Sequence, residues 1–316
     1  MRMFVAGGTG VIGRRLLPQL VAAGHEVTAT TRRPEKAALL GSLGATAAVL
    51  DALEAPAVMA AVQAAAPEVV MNQLTQLPQR YEPRKLRPWL EQSSRLRLEG
   101  TQHLLAAARA AGTRRFVYQS IAFLYALRGP SVVDEDAAVA TEAPEPFGST
   151  VRATLEGERL ALDTEGIEGV VLRYGQLYGP GTYFAPDGYF AHQARQRRVP
   201  IVGGGGGVFS FLHVDDAASA TVCAMTRGRG VYNVVDDDPA QVRDWIPVFA
   251  AAVGAPRQPR VPRWVARLMV GSWAVATLTA GRGASNARAK AELGWQPRYR
   301  SWREGFFVRD EPDVSG

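Results

Sequence analysis

The chain has 316 residues, 47% of them hydrophobic and 21% charged, which excludes global disorder and allows a large α/β core. A single cysteine, Cys223, excludes a disulfide framework or a cysteine metal site and points to a reducing cytoplasm. The net charge of +6 comes from scattered arginine, with lysine only at Lys36, Lys85 and Lys290, so a GC-rich coding bias accounts for it better than a nucleic-acid surface.

Met3-Phe4-Val5-Ala6 is a short apolar run suited to a buried parallel strand, and no signal peptide is expected ahead of it. Gly7, Gly10 and Gly13 follow at three-residue spacing, and a helix from Val11 to Ala23 carries Ile12, Leu16, Leu17 and Leu20 at helical period. Glu26 to Thr31 alternates as a second strand. A helix over Glu35 to Leu43, a third strand over Ala45 to Leu50, a helix over Pro56 to Ala66 and a fourth strand over Val69 to Met71 come next. The proline-broken stretch Leu74 to Pro88 reads as a loop, Trp89 to Ala111 as one long helix, and Arg115 to Gln119 as the fifth strand. Ser131 to Ser149, rich in acid and proline, reads as a surface loop before a helix over Val151 to Glu165 and a sixth strand over Gly169 to Tyr174. Strands alternating with helices predict an α/β, Rossmann-like, doubly wound parallel sheet. Beyond it, short strands at Phe209 to His213 and Val231 to Val235 and five glycines from Gly203 to Gly207 predict a smaller irregular substrate-binding region. Residues 1–175 and 209–236 are expected to form the dinucleotide-binding domain, and 176–208 with 237–316 the substrate-binding region. The late apolar stretch Leu268 to Leu278 is too short to span a bilayer.

Strand, glycine turn and helix together form a phosphate cradle: Gly7 for the tight turn, Gly10 for close approach of pyrophosphate, Gly13 for close helix packing. The second strand ends Thr31-Arg32-Arg33 with no acid until Glu35, so Arg32, helped by Thr31 and Arg33, is expected to clamp a 2′-phosphate and select NADP(H). The five-glycine run lacks the Lys-Ser/Thr of a P-loop and reads as a turn.

Several motifs in order resemble the extended short-chain dehydrogenase/reductase family, also called the NAD-dependent epimerase/dehydratase family. They are GGTGVIG at Gly7 to Gly13, Asp51-Ala52 at the adenine position, VVMNQLT at Val69 to Thr75, GTQHLL at Gly100 to Leu105, RYGQLYGPG at Arg173 to Gly181, FLHVDDAASA at Phe211 to Ala220 and AKAELGWQPRY at Ala289 to Tyr299. The loop, the strand-two end and the resemblance together imply cofactor contacts from Gly7, Thr9, Gly10, Val11, Ile12, Gly13, Thr31, Arg32, Arg33, Asp51, Ala52, Leu74, Thr75, Gln119 and Tyr174. The family also implies an Asn, Ser/Thr, Tyr and Lys catalytic group. Here those positions fall at Arg97, Ile121, Phe147 and Val151, and no lysine lies between Lys85 and Lys290.

Hydride transfer needs proximity and alignment, and proton delivery adds only ~10²–10⁴-fold, so a reductase survives the loss of that group. Ser120 and Tyr125 are the expected catalytic stand-ins, with Tyr174, Tyr178 and His192 as further candidates. His213, Asp215 and Asp216 are expected to be structural. Trp264, Leu268, Met269 and Trp273 either line a pocket for a flat hydrophobic substrate or form a core or lid helix. The first reading is an NADPH-dependent ketoreductase acting on a bulky aromatic or polyketide-type carbonyl, similar to antibiotic-pathway ketoreductases such as those acting on angucyclinones. The alternatives are a non-catalytic NADP-binding redox sensor and a nucleotide-sugar epimerase or dehydratase. The expected setting is cytoplasmic, as a monomer or homodimer, with a hydrophobic aromatic small molecule as partner and no metal, nucleic acid or membrane.

Overall fold

The computed structural model describes residues 1–76, 78 and 86–307. Part of the expected 74–88 loop therefore lies outside the described residues, as do Lys85 and the end of the chain from 308.

Seven parallel strands form the central sheet. They are β1 (Arg2–Ala6), β2 (Glu26–Thr31), β3 (Thr46–Val49), β4 (Val69–Asn72), β5 (Arg115–Ile121), β6 (Glu168–Tyr174) and β7 (Gly230–Val234), in the spatial order β3-β2-β1-β4-β5-β6-β7. The order reverses between β1 and β4, the place where open α/β sheets open a crevice at their carboxyl ends. Alternation within β1 explains the two-sided burial. Met3 and Val5 pack into the layer of α1 (Val11–Ala22), while Phe4 and Ala6 pack into the layer of α3 (Ala55–Ala65).

The helix expected as one piece over 89–111 is two helices. α4 (Leu86–Arg95) and α5 (Thr101–Ala110) are joined by a π turn over Leu96–Gly100. Such turns insert one residue into a helix and often mark functional positions. α6 (Phe147–Asp163) starts four residues earlier than expected, so Phe147 opens the helix instead of closing a loop. The acidic 131–149 stretch also contains a short strand, Val132–Val133, which pairs in parallel with Gly283–Ala284.

The later region holds α7 (Tyr189–Arg195), α8 (Val214–Ala224), α9 (Val242–Ala252), α10 (Arg263–Ala280), α11 (Ala287–Leu293) and α12 (Trp302–Gly305). Its core is aromatic: Tyr178, Phe184, Phe211, Trp245, Phe249, Trp302 and Phe306. Asp216 accepts from the amides of Arg298 (2.8 Å) and Tyr299 (2.9 Å), and Asp236 from that of Trp302 (2.9 Å), which latches the C-terminal segment onto the sheet domain. His213 stacks on Tyr299 at 3.7 Å and accepts from the amide of Asp215. The HVDD segment thus ties elements together.

Candidate functional site

The glycine loop has the geometry that its spacing predicts. Gly7 has φ +92°, and a Cβ there would sit 2.7 Å from the Gln73 carbonyl oxygen. A Cβ on Gly13 would lie 2.5 Å from the Gly8 oxygen, so the helix closes on its own loop only with glycine there. Gly10 caps α1 from an exposed position, with no side-chain cap and no acid in the first turn. The leading amides of Val11, Ile12 and Gly13 have no helical acceptors, and the helix dipole adds positive potential. This cradle fits a pyrophosphate. Sequence reasoning passed over two of its supports. Gly8 lies against β2, where a Cβ would come 2.7 Å from the Ala29 Cβ. The buried Thr30 hydroxyl accepts from the Gly7 amide at 3.0 Å. Alternating polarity in EVTATT was the signal available for Thr30.

At the end of β2 the buried Thr31 hydroxyl accepts from the Arg33 amide (3.2 Å) and lies 3.5 Å from the Thr9 hydroxyl, while Arg32 and Arg33 are exposed. Asp51 accepts from the Leu53 amide (3.0 Å), and the Ala52 carbonyl meets His103 Nδ1 at 2.9 Å. Ala52 and Leu74 both approach Gly100, where a Cβ would lie 3.7 and 3.5 Å from their side chains. The structure therefore brings Asp51, Ala52 and Leu74 to one wall. Thr75 follows on the same connection. Beneath it, the Gln73 amide donates to the Tyr174 hydroxyl at 3.3 Å, and Gln73 Oε1 is enclosed with no partner of its own. Tyr174 is fully buried and also bonded to Thr221, and burial pushes its phenol up to about 12. Its ring is core.

Ser120, Arg173 and Asn233 are register partners across β5, β6 and β7, and all face the same side of the sheet. α6 brings Glu158 to this row. Ser120 donates to Glu158 Oε1 (2.5 Å), and Arg173 grips both carboxylate oxygens (2.8 and 2.6 Å). Arg173 also donates to the Tyr125 hydroxyl (3.1 Å), which donates to Asn233 Oδ1 (2.6 Å). The Asn233 amide donates to Glu135 (2.7 Å), which Arg288 of α11 approaches at 3.4 Å. Burial opposes the Arg173 charge, but Glu158 outweighs it and holds the guanidinium firmly protonated. Burial also raises the Tyr125 phenol and the Glu135 carboxyl. Ser120 and Tyr125 are thus brought together, with both hydroxyls committed to buried protein partners. Gln119 is half-buried on the opposite sheet face. Tyr178 lies in the aromatic core, and His192 is exposed on α7. Glu158 was missed from sequence; an arginine inside the apolar run GVVLRY was the hint that a buried acid faces it.

α6 reads FGSTVRATLEGERLALD and carries neither tyrosine nor lysine at any position. In whatever register it meets a ligand, it supplies no phenol and no ammonium group. Arg97 sits within the π turn, where its carbonyl accepts from Thr101 at 2.5 Å and its Nη1 is enclosed without a hydrogen-bond partner. Burial raises the neighbouring Tyr118 phenol, and the Arg97 charge opposes that rise.

The sequence profile of the NAD dependent epimerase/dehydratase family matches residues 3–235. The chain is 47% identical over 309 residues to a 3-diazoavenalumate denitrifying reductase of a Streptomyces species, covering 97% of this chain and 99% of that protein. It is 30% identical to the 4-hydroxy-2-methyl-3-oxo-4-farnesyl-3,4-dihydroquinoline-1-oxide ketoreductase of Stigmatella aurantiaca, covering 80% of this chain and 74% of that one. Among solved structures, the UDP-glucose 4-epimerase of Thermotoga maritima matches with a TM-score of 0.75 at 21% identity, over 97% of this chain and 96% of the other, which speaks for the fold.

Proposed function

The chain belongs to the NAD-dependent epimerase/dehydratase family and is an NAD(P)-dependent oxidoreductase, and from that premise we propose that it is an NADPH-dependent reductase of aryl diazo compounds in secondary metabolism. The observation that carries this reading is α6 without tyrosine or lysine. When bound, the nicotinamide supplies a hydride. Reducing a ketone takes up that hydride at carbon and a proton at oxygen. Converting an aryl diazonium to the arene takes up the hydride alone: a C–H bond forms, the C–N bond breaks, and dinitrogen leaves with the bonding pair. No proton donor is needed at the reacting centre, and this site has dispensed with the usual one. The 47% identity to a reductase named for a diazo substrate supports the same assignment.

The chain's own residues then bind and orient. Gly7, Thr9, Gly10, Val11, Ile12 and Gly13 would hold the pyrophosphate, and Asp51, Ala52, Leu74 and Thr75 the adenosine side. Thr31, Arg32 and Arg33 would hold the 2′-phosphate, and Gln119 and the Tyr174 backbone the nicotinamide end. Ser120 and Tyr125 act as positioning residues, because their hydroxyls tie α6, β6 and β7 together behind the crevice instead of meeting substrate. Residues 1–175 with 209–236 bind the cofactor, and 176–208 with 237–316 form the substrate side. A cytoplasmic setting suits the NADPH requirement and the lone Cys223.

A ketoreductase acting on an aromatic or polyketide-type carbonyl is the second reading, favoured by the 30% identity to a ketoreductase. Incubation with NADPH and either hydroxyaryl diazo acids or aryl ketones, following NADPH absorbance and dinitrogen release, separates the two. One dinitrogen per NADPH consumed is expected from the diazo compound, with little turnover of the ketones. Turnover of ketones alone would move the assignment to the second reading, and no turnover of either despite NADPH binding would leave a cofactor-binding sensor.

A further inference from the structure

α10 breaks at Gly271, whose φ of +82° and ψ of +165° leave the helical region. The half before the break is anchored from below by Ala266, packed with Val202 and Val275. Its outer side is apolar and bare. Trp264 is 68% exposed, Leu268 83%, Met269 69% and Val270 53%. Trp264 and Leu268 are four residues apart on one helical face, so the patch is a continuous tip and not isolated side chains. The tip that sequence alone allowed as a pocket wall points outward.

Its charge setting is one-sided. Between Asp244 and Glu292 the sequence has no acid, and the arginines on the tip and just before it in sequence, Arg260, Arg263 and Arg267, are exposed. Among the described residues none of these three is in an ion pair. An exposed apolar tip with an indole, and with exposed arginines on it and just before it that enter no ion pair among the described residues, has the chemistry of a segment that lies in the headgroup region of an anionic bilayer. A second copy is a poorer occupant, because a two-fold contact would set arginine against arginine with no acid to pair them. No helix among the described residues is long and apolar enough to cross a membrane, so the contact would be peripheral.

We propose that the 263–270 tip docks this enzyme reversibly on anionic lipid surfaces, contrary to the expectation of no membrane contact that its sequence gave rise to. The test is co-sedimentation of the full chain with vesicles of phosphatidylcholine alone or mixed with phosphatidylglycerol. Binding is expected only to the mixed vesicles, and it should fall with added salt as exposed charges are screened. Leu268→Ser/Met269→Ser and Arg263→Gln/Arg267→Gln should each lower partitioning by about tenfold or more, with NADPH binding unchanged as the control for folding. No sedimentation with the mixed vesicles overturns the proposal, as does binding that neither pair of substitutions weakens. Self-association of the wild type that the Leu268/Met269 pair abolishes overturns it in favour of a second copy.

Discussion

Arg32 and Thr31 divide the work at the end of β2. Thr31 is buried and turns the chain by accepting from the Arg33 amide, and this leaves Arg32 exposed at the strand end, where the proposed 2′-phosphate contact would be made. A guanidinium–phosphate pair is charge-assisted and bidentate, so its loss is felt by one nucleotide only. Arg32→Ala should weaken NADPH binding on the order of ten- to a hundredfold and leave NADH binding within about twofold. Fluorescence titration with both nucleotides checks this, and equal losses would remove Arg32 from the clamp. The strand that ends at this corner was legible in sequence, because the alternating, β-branched EVTATT marks it. The partners of Ser120 and Tyr125 were not legible. A serine at a strand end looks available until its partner is known, and that partner, Glu158, lies 38 residues away on α6.

At the scale of elements, the row Ser120, Arg173 and Asn233 with Glu158 links three strands to one helix. Glu158 and Arg173 are almost fully buried, with side chains 5% and 6% exposed, so neither charge can be left alone. Removing one partner of such a pair costs about 3–5 kcal/mol, while replacing both with apolar residues costs far less. Glu158→Leu should therefore lower stability by that amount, and Glu158→Leu/Arg173→Met should recover most of it, as read by denaturant unfolding. A double variant as unstable as the single would show that the pair's links to Ser120 and Tyr125 matter more than charge burial. Sequence periodicity placed α6 but not its start, because Pro144 and Pro146 mask the first turn. It also ran α4 and α5 together. A π turn changes no hydrophobic period strongly enough to be read in Leu96–Gly100.

Over the whole molecule, the alternation of strands and helices made the sheet legible, while the latching of the C-terminal segment depended on contacts far apart in sequence. Asp236 shows what that latch costs. It is buried beside Asp237 and Asp238, and burial, reinforced by those charges, pushes its pKa up to about 8 although the Asp238 and Trp302 amides oppose the rise. A carboxyl whose folded pKa is raised stabilises the fold while protonated, below its unfolded value, and that stability is lost as pH rises towards 8. Relative to Asp236→Asn, the wild type should therefore lose stability steadily between pH 5 and 8 in thermal melts, and parallel curves would mean that Asp236 is ionised throughout. The chemistry is a property of the whole assembly too: the glycine loop has the close geometry of a phosphate cradle, and α6 carries neither tyrosine nor lysine. Turnover of an aryl diazo substrate with NADPH deuterated at the reactive nicotinamide carbon, in ordinary water, tests this most directly. The predicted product carries one deuterium at the carbon that lost nitrogen, whereas an arene whose new hydrogen comes from water would contradict direct hydride delivery.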